Sequence, residues 1–384
     1  MNTTITPPSR IQSLDLLRGL VMVLMAIDHV RVYSGLPAGG PEFGIFFTRW
    51  ITHFCAPAFA FFAGTSAFLY GQKLNDYRKL ATWLITRGIL LIVLELTVIR
   101  FFWAFNISSD FMLAGVIWML GWCMVLLAPF IRMKPKWAVI TGSAIILFQS
   151  LFGLVPLLFP ESAQPGFAKI WSFVYPPAVE GAYFQNFQIL YSIVPWIGVM
   201  LAGYGFGAIF HLDEKKRNKL CLIIGLSMTL AFLVIGSLFL VLNPNPAPAP
   251  FIMKLLSQQK YPASTLFLLM TLGPMIALIP WAQRAKGRFS EILVVIGRVP
   301  FFYYLAHILV IHLSALAVQL ILHGTIHSEW FVTAPYVFVE ETYRWSLPLL
   351  YLVFILDVVM LYFLCRWYAG YKASHPEKGW LKYV

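Results

Sequence analysis

The chain has 384 residues, of which 60% are hydrophobic and 11% charged. A soluble globular protein carries about 25% charged residues, so the deficit excludes a soluble core with an anchor and points to an all-α, polytopic membrane bundle. The formal net charge of +12 does not signal nucleic acid, because the Lys and Arg residues sit in short loops between apolar runs, as membrane topology requires.

Hydropathy predicts about ten spans, at 13–34, 45–71, 81–104, 111–131, 137–159, 188–210, 219–242, 262–282, 297–322 and 346–367. Basic residues concentrate in alternate connections: loops 72–87, 132–136, 211–219 and 283–290, and the C-terminal tail. The positive-inside rule puts these loops and both termini in the cytoplasm. The opposite loops, 35–44, 105–110, 160–187, 243–261 and 323–345, are poor in Lys and richer in Pro and aromatics. Within them, Asn243-Pro-Asn-Pro-Ala-Pro-Ala-Pro250 reads as an extended spacer. No internal repeat or soluble domain stands out, so 1–384 reads as one membrane domain. Cys55, Cys123, Cys221 and Cys365 fall in or at the ends of apolar runs without a CxxC pair. They read as reduced packing residues, and no metal site is expected.

The first span carries Asp15, Arg18, Asp28 and His29. A charge in lipid costs about 2.5–3.5 kcal/mol on insertion scales, so these are functional candidates. Arg18 and His29 are eleven residues apart, which on a helix is about 20° past three full turns and about 16 Å of rise. They share a face, with Met22 and Met25 on the stripe between them. Asp28, Arg31 and His29 stand where a signal peptide would need small residues for cleavage, so the run reads as a retained span. Asp28 either supports His29 or, since neighbours on a helix diverge by about 100°, orients another group.

In the second span, His53 is predicted at the same outer depth as His29, where the two histidines can meet. The Gly64-Thr-Ser66 stretch favours close helix packing. In the third span Glu95 needs a partner, for which Arg18, Arg298 and a histidine are candidates. The ninth span places Tyr303 and His307 on one face, with His312 about 140° away from His307. Glu95, Arg100, Asn106, Trp118, Tyr303 and His307 are therefore candidates to line a site. Asp357 reads as a structural carboxylate.

Three motifs carry a family resemblance: Arg10-x-x-Ser13-Leu-Asp-Leu-Leu-Arg-Gly-Leu20, the Asp28-His29 pair, and Thr52-His-Phe-Cys-Ala-Pro-Ala-Phe-Ala-Phe-Phe-Ala-Gly-Thr-Ser66. They resemble the bacterial branch of the heparan-α-glucosaminide N-acetyltransferase catalytic-domain family, most specifically over residues 1–125. The opening and the arginine-to-histidine spacing are also similar to membrane acyltransferases that O-acetylate surface glycans. The resemblance implies transfer of an acetyl group from cytoplasmic acetyl-CoA to a sugar or glycan acceptor on the periplasmic or external side. It implies a CoA-side role for Arg18 and makes His29 the base or nucleophile, while the lysosomal relatives carry a carboxylate where this chain has His53. The residues themselves add Asp28 and His53 to the catalytic set, and Asp15, Met22 and Met25 beside Arg18. The implied setting is the bacterial inner membrane, with the lipid bilayer, acetyl-CoA and the acceptor as partners and a homodimer left open. The alternative is a transporter or flippase for a small metabolite or lipid-linked sugar, using the same intramembrane charges as a path.

Overall fold

The computed structural model describes residues 11–40, 42–108, 110–179, 181, 184–244 and 248–383. Arg10 and residues 245–247 of the Pro-rich spacer lie outside these. Eleven principal helices organise the described chain: α1 (Gln12–Ser34), α2 (Phe43–Leu74), α3 (Tyr77–Ala104), α4 (Val116–Phe130), α5 (Pro135–Leu147), α6 (Ile193–His211), α7 (Glu214–Leu242), α8 (Thr265–Arg284), α9 (Arg288–Arg298), α10 (Pro300–His323) and α11 (Leu347–Ser374).

Seven of these (α2, α3, α6, α7, α8, α10 and α11) are long and apolar enough to cross a membrane. An eighth span results if α5 and the following Gln149–Leu158 segment, bent by 66°, count as one. Length and composition therefore do not reach ten. α1 carries Asp15, Arg18, Asp28 and Arg31, and α4 is short. The fourth predicted span begins late, at Val116, because Met112–Ala114 forms a three-residue strand, β1. β1 pairs in parallel with β2 (Phe187–Ile189), Met112 facing Phe187 and Ala114 facing Ile189. The loop backbone thereby finds partners that a helix would have found internally.

α1 is the axis of the bundle. Seventeen of its 23 residues are buried, and α2, α8, α9, α10 and α11 pack around it. By contrast α7 buries only Asn218, Cys221, Gly225, Phe232 and Gly236, and presents Leu222, Leu226, Leu230 and Leu233 outward. That pattern marks α7 as a lipid-facing helix.

Lipid is as apolar as leucine, so helices associate through close packing of small residues. Gly88 of α3 and Gly121 of α4 each face the other's carbonyl oxygen, as do Gly142 of α5 and Gly198 of α6. Gly225 meets Gly273 between α7 and α8, and Gly19 of α1 lies against the Leu293 carbonyl of α9. Gly64 of α2 lies against the Met200 carbonyl of α6, and Thr65 Oγ1 donates to the Gly203 carbonyl at 2.9 Å.

The basic loops gather at one end. Arg132 lies over the Tyr77 ring at 5.9 Å, Arg284 pairs with Glu214 at 3.6 Å, and Arg217 donates to Gln283 at 2.7 Å. The Pro- and aromatic-rich loops meet at the other end. There the Trp345 amide donates to the Ser34 carbonyl at 3.0 Å, and Gln188 donates to the Tyr336 hydroxyl at 3.3 Å. These are called the basic and aromatic ends below.

A Gly142→Leu variant would drive its side chain into the α6 backbone at Gly198 and Ala202. It should lose at least about 1–3 kcal/mol of stability. Gly370→Ala, inside α11 where a Cβ meets nothing within 4 Å, should leave stability unchanged or raise it by up to about 1 kcal/mol. Thermal unfolding in detergent compares them, and equal melting of the two variants would contradict the packing account.

Candidate active site

The polar residues of α1 are each engaged by a different neighbour. At the aromatic end, Asp28 Oδ1 accepts from Arg31 Nε at 2.7 Å and Oδ2 from Arg49 Nη1 at 3.0 Å. Arg31 also donates to the Leu36 carbonyl at 2.7 Å. Of the two roles open to Asp28 in the sequence, the geometry displays the second: it holds two arginines and makes no hydrogen bond to His29.

His29 meets His307 of α10. His29 Nδ1 and His307 Nε2 are 2.7 Å apart, and the rings stack with centroids at 4.9 Å. His307 Nδ1 lies 2.6 Å from the Tyr304 carbonyl and 3.1 Å from that of Tyr303. A carbonyl can only accept, so His307 Nδ1 carries a proton. His307 is fully buried, and among the described residues no carboxylate pairs with either ring. A second proton on His307 would leave a cation buried without a counter-charge, which is costly. His307 Nε2 is therefore the acceptor, and His29 Nδ1 donates to it. The lone pair of His29 is left on Nε2. Trp103 packs edge-on to His29 at 4.8 Å, and Tyr33 donates its hydroxyl to the Trp103 carbonyl.

At the other end of the stripe, Arg18 Nη2 donates to the Phe62 carbonyl at 3.1 Å and to Ser66 Oγ, while Nη1 faces Asp15 Oδ1 at 3.5 Å. The small-residue stretch of α2 thus serves both packing, through Gly64 and Thr65, and polar anchoring, through Ser66.

Two cavities approach one another along α1. The one at the basic end, about 250 Å³, is lined by Arg18, Arg87, Arg298 and Lys372, with Met22, Leu120 and Met124 in its apolar wall. No acidic side chain lines it among the described residues. The one at the aromatic end, about 420 Å³, is lined by His29, Glu95, Trp103, Lys260 and Tyr261. Tyr304 lines both. Tyr261 lies outside the spans. Burial pushes its phenol up, but Lys260 and Arg49 beside it outweigh this and hold it below its usual value.

Glu95 solves its burial in a way the sequence did not offer. It starts a π-helical stretch, Glu95–Ile99, within α3. Its carboxyl group sits beside the backbone N–H groups of Gly115, Ile117 and Trp118 at the start of α4. That is a helix N-terminus, whose first N–H groups have no partner within the helix. A side chain on Gly115 would overlap the Glu95 carboxylate, so a glycine directly before an apolar run was the available signal. Glu95 Oε2 has no hydrogen-bond partner among the described residues.

The remaining candidates separate. His53 packs on Phe267 at 5.3 Å and opens into a third cavity, so the second-span histidine is not the one that meets His29. Tyr303 stacks behind His307 at 5.4 Å. Met25 is buried in the core beside Met22. Arg100, Asn106 and Trp118 line neither chamber. Arg100 donates to the Ser108 carbonyl, Asn106 Oδ1 accepts from the Ser108 amide at 2.8 Å, and Trp118 packs on Phe173 at 5.8 Å. His312 is taken up by the Phe102 carbonyl at 2.9 Å, and Asp357 by Ser314 at 2.6 Å.

A family model described as heparan-alpha-glucosaminide N-acetyltransferase, catalytic, matches residues 10–243. The chain belongs to this family. It is thus a multi-pass membrane acetyltransferase, and the transporter alternative is not favoured. No curated protein matches the chain. The family match reaches well past residue 125. It covers Arg18, His29 and Glu95 but stops before Lys260, Arg298, Tyr304, His307 and Lys372.

The hydrogen-bond chain predicts that both His29 and His307 carry their protons on Nδ1. Solid-state ¹⁵N spectra of the histidine-labelled protein, assigned with His29→Gln and His307→Gln, report the tautomers directly. An Nε2–H signal from His29 would refute the assignment.

Proposed function

We propose that this acetyltransferase takes its acetyl group from acetyl-CoA bound at the basic end and passes it to a sugar amine or hydroxyl at the aromatic end. The observation that carries this reading is the pair of chambers that share Tyr304, one walled by cations and the other lined by His29. The chamber at the basic end suits the donor. Its cations match the phosphates through charge-assisted bonds, and its apolar wall matches the pantetheine arm. The positive-inside rule makes this end cytoplasmic. Ten spans, with the polar α1 carried inside the bundle and the short α4 completed by its flanking segments, agree with that orientation.

In this reading the nucleotide never crosses lipid. Moving its charge would be costly, whereas the acetyl group is neutral. At the junction the acceptor attacks the thioester carbonyl. Its proton passes to His29 Nε2 and then to the leaving thiolate, which departs as the CoA thiol. The same lone pair also suits a two-step route in which His29 carries the acetyl group and water is kept out. His307 acts by orienting His29. Asp28 acts by fixing Arg31 and Arg49 at the mouth of the acceptor chamber.

Acetyl-CoA should raise the melting temperature of the purified protein, and ATP should raise it far less. Arg18→Ala should weaken acetyl-CoA binding about 10- to 100-fold, as expected for loss of a charged hydrogen-bonding group. His29→Ala should keep acetyl-CoA binding and lose acetyl transfer to glucosamine. Unchanged affinity in the first variant, or normal turnover in the second, would sink the corresponding role.

A further inference from the structure

The third cavity is not used by the transfer chemistry. It measures about 510 Å³ and lies at the aromatic end, lined by Arg49, Trp50, His53, Lys254, Lys260 and Tyr261 among others. Arg49, Lys260 and Tyr261 also line the chamber of His29, so the two spaces adjoin. Pockets of about 300–1,000 Å³ hold small-molecule ligands.

Its chemistry is one-sided. Three cationic side chains line it, and no acidic one does among the described residues. Arg49 commits Nη1 to Asp28, which leaves the other donors of its fork for a ligand. Trp50 Nε1 and His53 Nδ1 are buried without a hydrogen-bond partner among the described residues. Of these two atoms the indole Nε1 is always a donor, and unpaired buried polar groups are rare in native proteins, so this side of the cavity is polar without an internal partner. Lys254 and Lys260 also run against the charge bias of the chain, since they stand in a loop of the Lys-poor set. Lys260 lies 5.4 Å from the Tyr261 ring and 5.9 Å from that of Tyr191, so its ammonium sits in a defined place between the two spaces.

We propose that this cavity is a subsite for an anionic group, phosphate or carboxylate, carried by the sugar acceptor. The anion engages Arg49, Lys254 and Lys260, with the Trp50 and His53 rings beside it. The sugar then extends past Lys260 and Tyr261, so that its amine or hydroxyl reaches His29. The inference rests on the acetyl-transfer reading and narrows its acceptor to acidic sugars.

The test uses the full-length protein in phosphatidylcholine nanodiscs, with thermal unfolding as the readout. The probes are glucosamine, glucosamine 6-phosphate, glucuronic acid, inorganic phosphate and dioctanoyl phosphatidylglycerol, and acetyl-CoA is a separate arm. Glucosamine 6-phosphate should bind about ten-fold or more tighter than glucosamine, as one added charge-assisted contact provides. Inorganic phosphate should compete with it. In a Lys254→Met/Lys260→Met protein the preference should fall to parity, while the acetyl-CoA shift, which also reports folding, stays unchanged. Equal affinity for the two sugars, a preference that survives in the double variant, or stabilisation by the lipid but by neither acidic sugar would each overturn the subsite. The competition in the unmodified protein decides the matter even if the variant fails to fold. Loss of the acetyl-CoA shift with the sugar preference intact would sink the donor assignment and leave the anion subsite standing.

Discussion

A polar side chain inside a bilayer has to be answered from within the protein, and the structure is arranged around that requirement in α1. Arg18 is answered by α2 through Ser66 and the Phe62 carbonyl, and Asp28 by Arg31 and by Arg49 of α2. His29 is answered by His307 of α10. The contacts to Ser66, Arg49 and His307 each recruit a neighbouring helix, while Gly19 of α1 lets α9 approach closely on another side. The residues that make α1 a poor membrane span by composition are thus the ones that fix its position at the centre of the bundle.

The site is assembled from distant parts of the chain. The segment that matches the family provides the first helix with Arg18 and His29, and Glu95 with its helix-capping contacts. The later helices provide His307 and Tyr304, and the cations Arg298 and Lys372 at the basic mouth. A buried imidazole beside an unpaired neighbour would adopt whichever tautomer its local contacts favour. Here the Tyr304 carbonyl, two bonds removed, sets the proton on His307 and through it the open nitrogen of His29.

Much of this was legible in the sequence, and the limits have physical causes. Hydropathy located the helices, and the 3.6-residue period placed Arg18, Met22 and His29 on one stripe. Alternation of basic loops anticipated the two ends. The partner of His29 was not legible, because span order does not say which helices touch: depth alone pointed to His53, and His307 stood only as a residue lining a site. The partner of Glu95 was hidden for a different reason. Backbone amides have no signature in side-chain sequence, and only the glycine at 115 hinted that something approaches closely there. The β1–β2 pairing was missed because three-residue strands are too short to show a period.

Tyr304, which lines both chambers, has an electrical consequence. Water admitted to each chamber would bring the two aqueous phases to within a single side chain of one another, far less than the roughly 30 Å of hydrocarbon elsewhere. The transmembrane voltage would then drop mainly across that phenol instead of across the whole bilayer. A full charge forced past it would feel nearly the entire potential, about 2.3 kcal/mol per 100 mV, while a neutral acyl group would feel almost none. On the proposed route, the protein would stay an insulator while a neutral group passed through it.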